Sequence, residues 1–179
     1  MDTLTLANGA TVRLRLGDIT AEATGAIVNA ANAHLMPGGG VCGAIHAAAG
    51  PELARECARV AASRGALHPG EAAITDGYRL PARHVIHALG PVWHGGTAGE
   101  AADLAAAYRS ALSLAAEHRL TSIAFPSIST GIFGYPIDDA APVAIGAVRE
   151  ALEHADSVRD VVFVLYDERT FQAYARALG

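Results

Sequence analysis

Cysteine is scarce in this chain: Cys42 and Cys57 are its only two. They form no C-x-x-C pair, and no His/Cys cluster has the spacing of a zinc site. A disulfide scaffold is unnecessary at this length, and the expectation is a reducing compartment with no metal and no cofactor. Positive charge is also thin, with 13 Lys and Arg against 18 Asp and Glu and a formal net charge of −5. The basic residues are scattered, which suits solvated faces. Non-specific nucleic-acid binding needs clustered cations, so the balance argues against a nucleic-acid partner. It does not exclude a nucleotide, because backbone amides bind phosphate without net positive charge. No apolar run reaches the ~20 residues that span a bilayer. The start Met1-Asp2-Thr3-Leu4 lacks the basic and apolar blocks of a signal peptide. The expectation is a cytoplasmic protein with no membrane partner. A G-x-x-x-x-G-K-[ST] loop is missing, and so is G-x-G-x-x-G after a first strand with an acidic residue some 20 positions on. A P-loop and a Rossmann dinucleotide site are therefore disfavoured.

What is present fits one domain over residues 1–179, read as a monomer. Half the chain is hydrophobic, enough for a sizeable core, and its few aromatics suggest close packing of Ala-rich helices. The alternation Thr11-Val12-Arg13-Leu14-Arg15-Leu16 predicts a half-buried strand, hairpinned to residues 3–6 across Asn8-Gly9. Residues 26–29 form a short buried strand. A helix begins near Val41. Another starts at Gly50-Pro51, with Pro in its first turn, and ends at Gly65. Strands are expected at 72–75 and 84–88, joined through Gly77 and Pro81. A long helix at 101–118 carries the stripe Leu104, Tyr108, Ala111, Leu112 and Ala115. A strand at 122–125 stops at Pro126. A helix then runs to about Glu153, with Asp138 and Asp139 as its caps. The run 161–166 is a central strand, and residues 171–178 close with a helix. Alternation of strands and helices after the hairpin argues a three-layer α/β/α sandwich with a mixed, mostly parallel sheet.

The most informative stretch is Ile27-Val28-Asn29-Ala30-Ala31-Asn32-Ala33-His34-Leu35-Met36-Pro37-Gly38-Gly39-Gly40-Val41-Cys42-Gly43-Ala44-Ile45-His46. A strand runs into two Asn side chains, then a loop without bulk, then a helix. Backbone N–H groups approach an anion closely only where Cβ atoms are absent. A helix N-terminus adds unpaired donors and the positive end of a dipole. A second loop, Ser127-Ile128-Ser129-Thr130-Gly131-Ile132-Phe133-Gly134-Tyr135-Pro136, also follows a strand and precedes a helix. Open α/β sheets bind ligands at the carboxyl ends of their strands. Two such loops facing each other suit a diphosphate. Cys42 and His46, four apart, share a helix face beside a core stripe of Val41, Ile45 and Ala48. Asn29 is expected to tie the loop backbone. His87, in a strand next to Gly90-Pro91, reads as structural.

Five pieces in order resemble the macrodomain family, and most closely its MacroD-like branch. They are Gly17-Asp18-Ile19-Thr20; Ile27 to Asn32; Gly38-Gly39-Gly40-Val41-x-Gly43-Ala44-Ile45-His46-x-Ala48-Ala49-Gly50; Val85-Ile86-His87-x-x-Gly90-Pro91-x-Trp93; and Pro126-Ser127-Ile128-Ser129-Thr130-Gly131-x-x-Gly134-Tyr135-Pro136. The resemblance implies an ADP-ribose site. Asp18 would accept from the adenine amino group, with Ile19 adding backbone contact; the alternative is a turn and N-cap. Tyr166 would pack on adenine, or else be a strand-end core Tyr. Gly39, Gly40 and Val41 would give amides to the diphosphate from one side, and Ser129, Thr130, Gly131, Ile132, Phe133 and Gly134 from the other. Phe133 would be the exposed aromatic over the distal ribose, or else a lid residue on the core. Asn32 would bond the ribose hydroxyls, with Asn29 as a further contact.

The resemblance also implies activity: hydrolysis of ADP-ribosyl esters, with ADP-ribosylated Asp or Glu on proteins and O-acetyl-ADP-ribose as substrates. Asn32, His46 and Cys42 are the candidate catalytic residues. MacroD-like hydrolases usually carry Asp at the position of Cys42, so an Asp-dependent mechanism is weakened here. A water positioned by the substrate's own phosphate would then attack, with Asn32 and His46 holding the ribose. A nucleophilic Cys42 with His46 as base is conceivable; the plainer reading is a small residue filling the loop wall. The competing readings are a non-catalytic ADP-ribose reader and a phosphatase acting on ADP-ribose 1''-phosphate.

Overall fold

The computed structural model describes residues 2–179. Its sheet has strands β1 (Thr3–Thr5), β2 (Thr11–Leu16), β3 (Ala26–Ala30), β4 (Ala72–Asp76), β5 (His84–Ala88), β6 (Ser122–Phe125) and β7 (Asp160–Leu165). Their spatial order is β1-β2-β7-β6-β3-β5-β4. The central pairings are parallel; β1 and β4 are antiparallel edges. The helices are α1 (Gly40–Ala49), α2 (Pro51–Arg64), α3 (Glu100–Glu117), α4 (Ile137–Glu153) and α5 (Glu168–Leu178).

Strand periodicity sorts the core into two halves, because successive residues face opposite sides of a sheet. Ala26, Val28, Ile86, Ile123, Phe125, Val161 and Phe163 pack under α3, α4 and α5. Ile27, Val85, Ala124, Val162 and Val164 pack under α1 and α2. Burial on both faces explains why the β7 run is continuous in sequence rather than alternating. On the first face Phe163 lies 5.2–5.9 Å from Phe125, Tyr108 and Tyr174, ring centre to ring centre, and a 5.1 Å Tyr108–Phe125 contact closes the group.

Two local expectations change. Asp138 and Asp139 sit inside the first turn of α4, whose N-cap is Pro136 without a side-chain bond. They complement the helix dipole rather than cap it, and Asp138 pairs with Arg176 at 2.8 Å. The buried face of α1 is Cys42, Ile45, His46 and Ala49, with Ala48 exposed. The helix is turned by one position from the Val41–Ile45–Ala48 stripe, which brings Cys42 and His46 inward.

Candidate functional site

Parallel β3 and β6 are neighbours, so the loops that leave their carboxyl ends lie side by side. The first loop is framed by Asn32. Its Oδ1 accepts from the N–H groups of His34 (3.2 Å) and Met36 (3.0 Å), and its Nδ2 donates to Met36 O (2.7 Å). The loop-tying role expected of Asn29 therefore falls to Asn32. Gly39 caps α1 without a side-chain bond, and Gly40 has φ +56°. The first-turn amides of α1 are left pointing outward, as helix geometry requires. A Cβ on Gly43 would stand 2.5 Å from Gly38 O, so only glycine lets the loop fold back onto that turn. Gly39 and Gly40 are exposed and Val41 half-buried.

Behind this loop Cys42 is buried, with Sγ 3.6 Å from Met36 O and 3.7 Å from Asn29 Nδ2. His46 is buried, and neither ring nitrogen has a partner. Burial pushes its pKa down, favouring neutral imidazole. Asn29 is fully buried. Its Nδ2 lies 3.0 Å from His87 Nδ1, and its Oδ1 has no partner.

The second loop is held from below by two tyrosines. Tyr108 on α3 accepts the Ile128 N–H at 3.0 Å, and Tyr174 on α5 donates to Ser127 Oγ at 2.9 Å. Thr130 donates to Ser127 Oγ (2.9 Å). Gly134 N–H closes on Gly131 O (3.0 Å), and Tyr135 N–H on Ser129 O (2.9 Å). Ser129 adopts φ +68°, and its Oγ is buried without a partner. Gly90, after β5, backs the loop: a Cβ there would collide with Ser129 Oγ and Ile128 Cγ2. Phe133 is half-buried against the α1–α2 half of the core, as in the alternative of a lid residue packing on the core and unlike a freely exposed aromatic, and its carbonyl accepts from Trp93 N–H at 2.9 Å. The fully exposed side chain of this loop is Ile132.

At the β2–β7 end, Asp18 Oδ1 accepts from Thr20 N–H (2.9 Å) and Thr20 Oγ1 (2.7 Å), so it caps the single 3-10 turn Ile19–Ala21 while remaining exposed. Ile19 is buried. Tyr166 follows β7 and is 90% exposed, beside Leu16 at the end of β2, itself 48% exposed. The core-tyrosine alternative for Tyr166 does not hold.

Three groups escaped the sequence reading. Tyr108 is legible as part of an apolar stripe, but not as a support for a loop. Glu100, at the first residue of α3, accepts the N–H groups of His94 (2.9 Å), Gly96 (2.9 Å) and Ala98 (2.6 Å), which holds its carboxyl at about 2. It pins the turn behind Trp93, whose ring centre lies 4.6 Å from that of Tyr135 with the planes tilted by 48°. The third is a buried polar chain through Thr75, His87 and Asn29.

Among the described residues, no group of three His, Cys, Asp or Glu is placed to hold a metal, and no helix is long and apolar enough to cross a membrane. A separate hollow of about 460 Å³ lies between α2 and β4. Its Glu56 accepts from Asp76 N–H and Tyr78 OH, so that carboxylate is already partnered, unlike the orphaned groups of the loop edge.

A family model described as Macro domain matches residues 28–144. A macro domain-containing protein of Chlorobaculum tepidum is 53% identical over 162 residues, covering 90% of this chain and 92% of the relative. A Klebsiella pneumoniae protein named O-acetyl-ADP-ribose deacetylase is 50% identical over 164 residues, covering 92% and 94%. A solved Oceanobacillus iheyensis macrodomain variant with ADPR superposes with TM-score 0.93 at 42% identity, covering 98% of this chain and 95% of that one.

Proposed function

We propose, for a chain that belongs to the macrodomain family, that all of residues 1–179 form one ADP-ribose-binding domain that hydrolyses ADP-ribosyl esters. The observation that carries this reading is where the unpartnered buried side-chain atoms fall: of six among the described residues, the two of Glu52 and Ser157 lie elsewhere and four belong to Asn29, His46 and Ser129. Asn29 Oδ1, both His46 nitrogens and Ser129 Oγ lie behind two amide-rich loops on one sheet edge. Buried polar groups are ordinarily satisfied, so a cluster of orphans marks a place completed by a ligand or water. The exposed ends of β2 and β7 extend the edge with Asp18 and Tyr166, which supports a long ligand with a base at one end.

In this reading the diphosphate lies between Gly39–Gly40–Val41 and the Ser129-to-Gly134 loop. Asp18 and Ile19 take the adenine edge, and Tyr166 its face. The distal ribose meets Asn32 and His46. A water held between phosphate and ribose attacks the ester. The carbonyl–oxygen bond breaks, the ribose oxygen takes up one proton of the water, and the acyl group leaves as carboxylate with the second proton lost to solvent. His46, kept neutral by its burial, accepts and returns the first proton. The loops contribute mainly orientation, which lowers barriers by ~7–11 kcal/mol in favourable cases. The substrates are ADP-ribose on Asp or Glu side chains and O-acetyl-ADP-ribose, both carboxylic esters of the distal ribose.

The second reading, a binding module without turnover, is favoured by Cys42: its thiol is engaged with Met36 O and brings no carboxylate base. Incubation with both esters separates the two. Release of free ADP-ribose is expected. Tight binding of ADP-ribose with no release from either ester would make the chain a reader.

A further inference from the structure

On the sheet face beneath α1 and α2, a polar chain crosses three adjacent strands. Thr75 of β4, His87 of β5 and Asn29 of β3 are all buried, and Asn29 stands opposite His87 in the parallel register. Thr75 Oγ1 lies 3.1 Å from Asp76 O, 3.5 Å from Val85 O and 3.0 Å from His87 Nε2. With its one hydrogen given to Asp76 O, which can only accept, the hydroxyl turns a lone pair to the ring. What remains for His87 is a hydroxyl lone pair, so Nε2 carries the imidazole proton. The Cys57 Sγ, 3.7 Å from the same nitrogen, is a weaker partner on the same side. Nδ1 is then a bare acceptor, and the group 3.0 Å away must be the amide nitrogen of Asn29, not its oxygen. The carboxamide's orientation follows from that arrangement. Its NH2 is turned to His87 and Cys42, and Oδ1 is left as a buried acceptor with no donor in the described chain.

We propose that His87 is a positioning residue for ester hydrolysis: locked as the Nε2–H tautomer by Thr75, it presents Asn29 Oδ1 as the acceptor that orients the attacking water. The idea rests on the hydrolase reading above. It gives a chain with Cys42 another oxygen acceptor beside that position. A carboxylate at 42 would accept a hydrogen from water; here the carboxamide oxygen of Asn29 does so. Burial keeps His87 neutral, with a pKa near 3, so its tautomer is not scrambled by protonation at neutral pH. A reversed imidazole would carry its proton on Nδ1, turn the amide over, and present an NH2 where the water needs an acceptor.

Two variants discriminate because the amides mimic different ring nitrogens. His87→Asn sets an oxygen acceptor near the place of Nδ1 and keeps the bond from Asn29. His87→Gln keeps a donor toward Thr75 and removes that acceptor. With folding checked by circular dichroism, His87→Gln is expected to lower kcat on O-acetyl-ADP-ribose about tenfold or more, while ADP-ribose Kd stays within about twofold. His87→Asn is expected to stay within a few-fold of wild type. Equal losses in both would make His87 merely structural and overturn the proposal. Thr75→Val, which removes the lock without changing volume much, provides a milder second route. It should lower kcat several-fold with Kd unchanged, and wild-type kcat in that variant would also count against the lock.

A measurement independent of turnover is the side-chain nitrogen NMR spectrum of His87 in the unliganded protein. The neutral Nε2–H form is expected. The Nδ1–H form overturns this proposal alone, whereas a wild-type protein that binds ADP-ribose but releases none from esters overturns the hydrolase reading on which it stands.

Discussion

The phenol oxygen of Tyr108 accepts the backbone N–H of Ile128 at 3.0 Å, so helix α3 holds the second glycine loop from inside the core. Tyr108→Phe leaves that N–H buried and unpaired, a loss of about 1–3 kcal/mol. The variant should unfold at lower urea and bind ADP-ribose more weakly, since the loop loses its anchor. Unchanged calorimetric affinity in a destabilised variant would show that the loop keeps its shape without the tyrosine.

His46 and Asp18 should separate by function. His46→Ala is expected to lower turnover more than affinity, because its nitrogens are unpartnered and the proposed pose sets the ester beside them. Asp18→Ala, at the exposed end proposed for adenine, should mainly raise Kd. Measuring kcat and Kd for both variants tests this; matching effects on Kd alone would remove His46 from the chemistry.

Cys42 is a packed wall residue in this reading. Cys42→Ala deletes one buried sulfur and should be mild in kcat, with a stability loss of about 1 kcal/mol. Complete loss of turnover would instead revive the nucleophile. Cys42→Asp should keep or raise turnover, because Asn29 Nδ2 stands ready to donate to the new carboxylate. A steep fall in kcat with the fold intact would show that the missing carboxylate is not what limits the enzyme.

Gly43→Ala tests the loop geometry. Its new Cβ would stand 2.5 Å from Gly38 O, a backbone atom that can yield only by opening the loop. Overpacking of this kind costs about 1–3 kcal/mol, and ADP-ribose binding should weaken with it. Titration calorimetry beside the thermal midpoint would reveal whether the loop accommodates the methyl group.

Acid should weaken the fold through His87. Burial holds its pKa at about 3 against 6.5, so the unfolded chain takes up a proton that the folded chain refuses. Above pH 6.5 neither state is protonated and nothing is lost. As pH falls from 6.5 toward 3, the unfolded state gains by about 1.4 kcal/mol per unit. Glu100 adds to the loss lower down: its contribution is present above 4.5 and disappears as pH falls from there toward about 2. Urea midpoints at about pH 7.5 and about pH 5 should diverge more in wild type than in His87→Asn. Equal slopes would mean that His87 is not buried neutral.

Local rules carried much of the fold. The β1–β2 hairpin, the Pro51 start and Gly65 stop of α2, and the β-branched run of β7 each follow from turn chemistry or periodicity. The side-chain partners did not. Asn29 and Asn32 are three residues apart in the same motif, and either could bond the loop; strand direction decides that Asn29 turns into the core while Asn32 meets Met36. The burial of Ala49 rather than Ala48 depends on the helix's rotation about its axis, which a ten-residue Ala-rich segment encodes weakly. His87 reads as an ordinary strand residue until the sheet order sets β3 beside β5. Asp138 resembles a cap by composition, yet Pro136 supplies the φ/ψ of that position, and Arg176 from α5 claims the carboxylate.

Tyr174 lies 30 residues beyond the last position matched by the Macro domain model, yet its hydroxyl holds Ser127 at the mouth of the second loop. The stretch 28–144 also omits β7, the strand that joins β2 to β6. Trimming the protein to its matched stretch would keep both glycine motifs in the sequence while removing an inner strand beside β6 and the phenol that holds the loop after β6. The recognisable signature and the smallest working unit therefore have different boundaries, and the C-terminal helix belongs to the second.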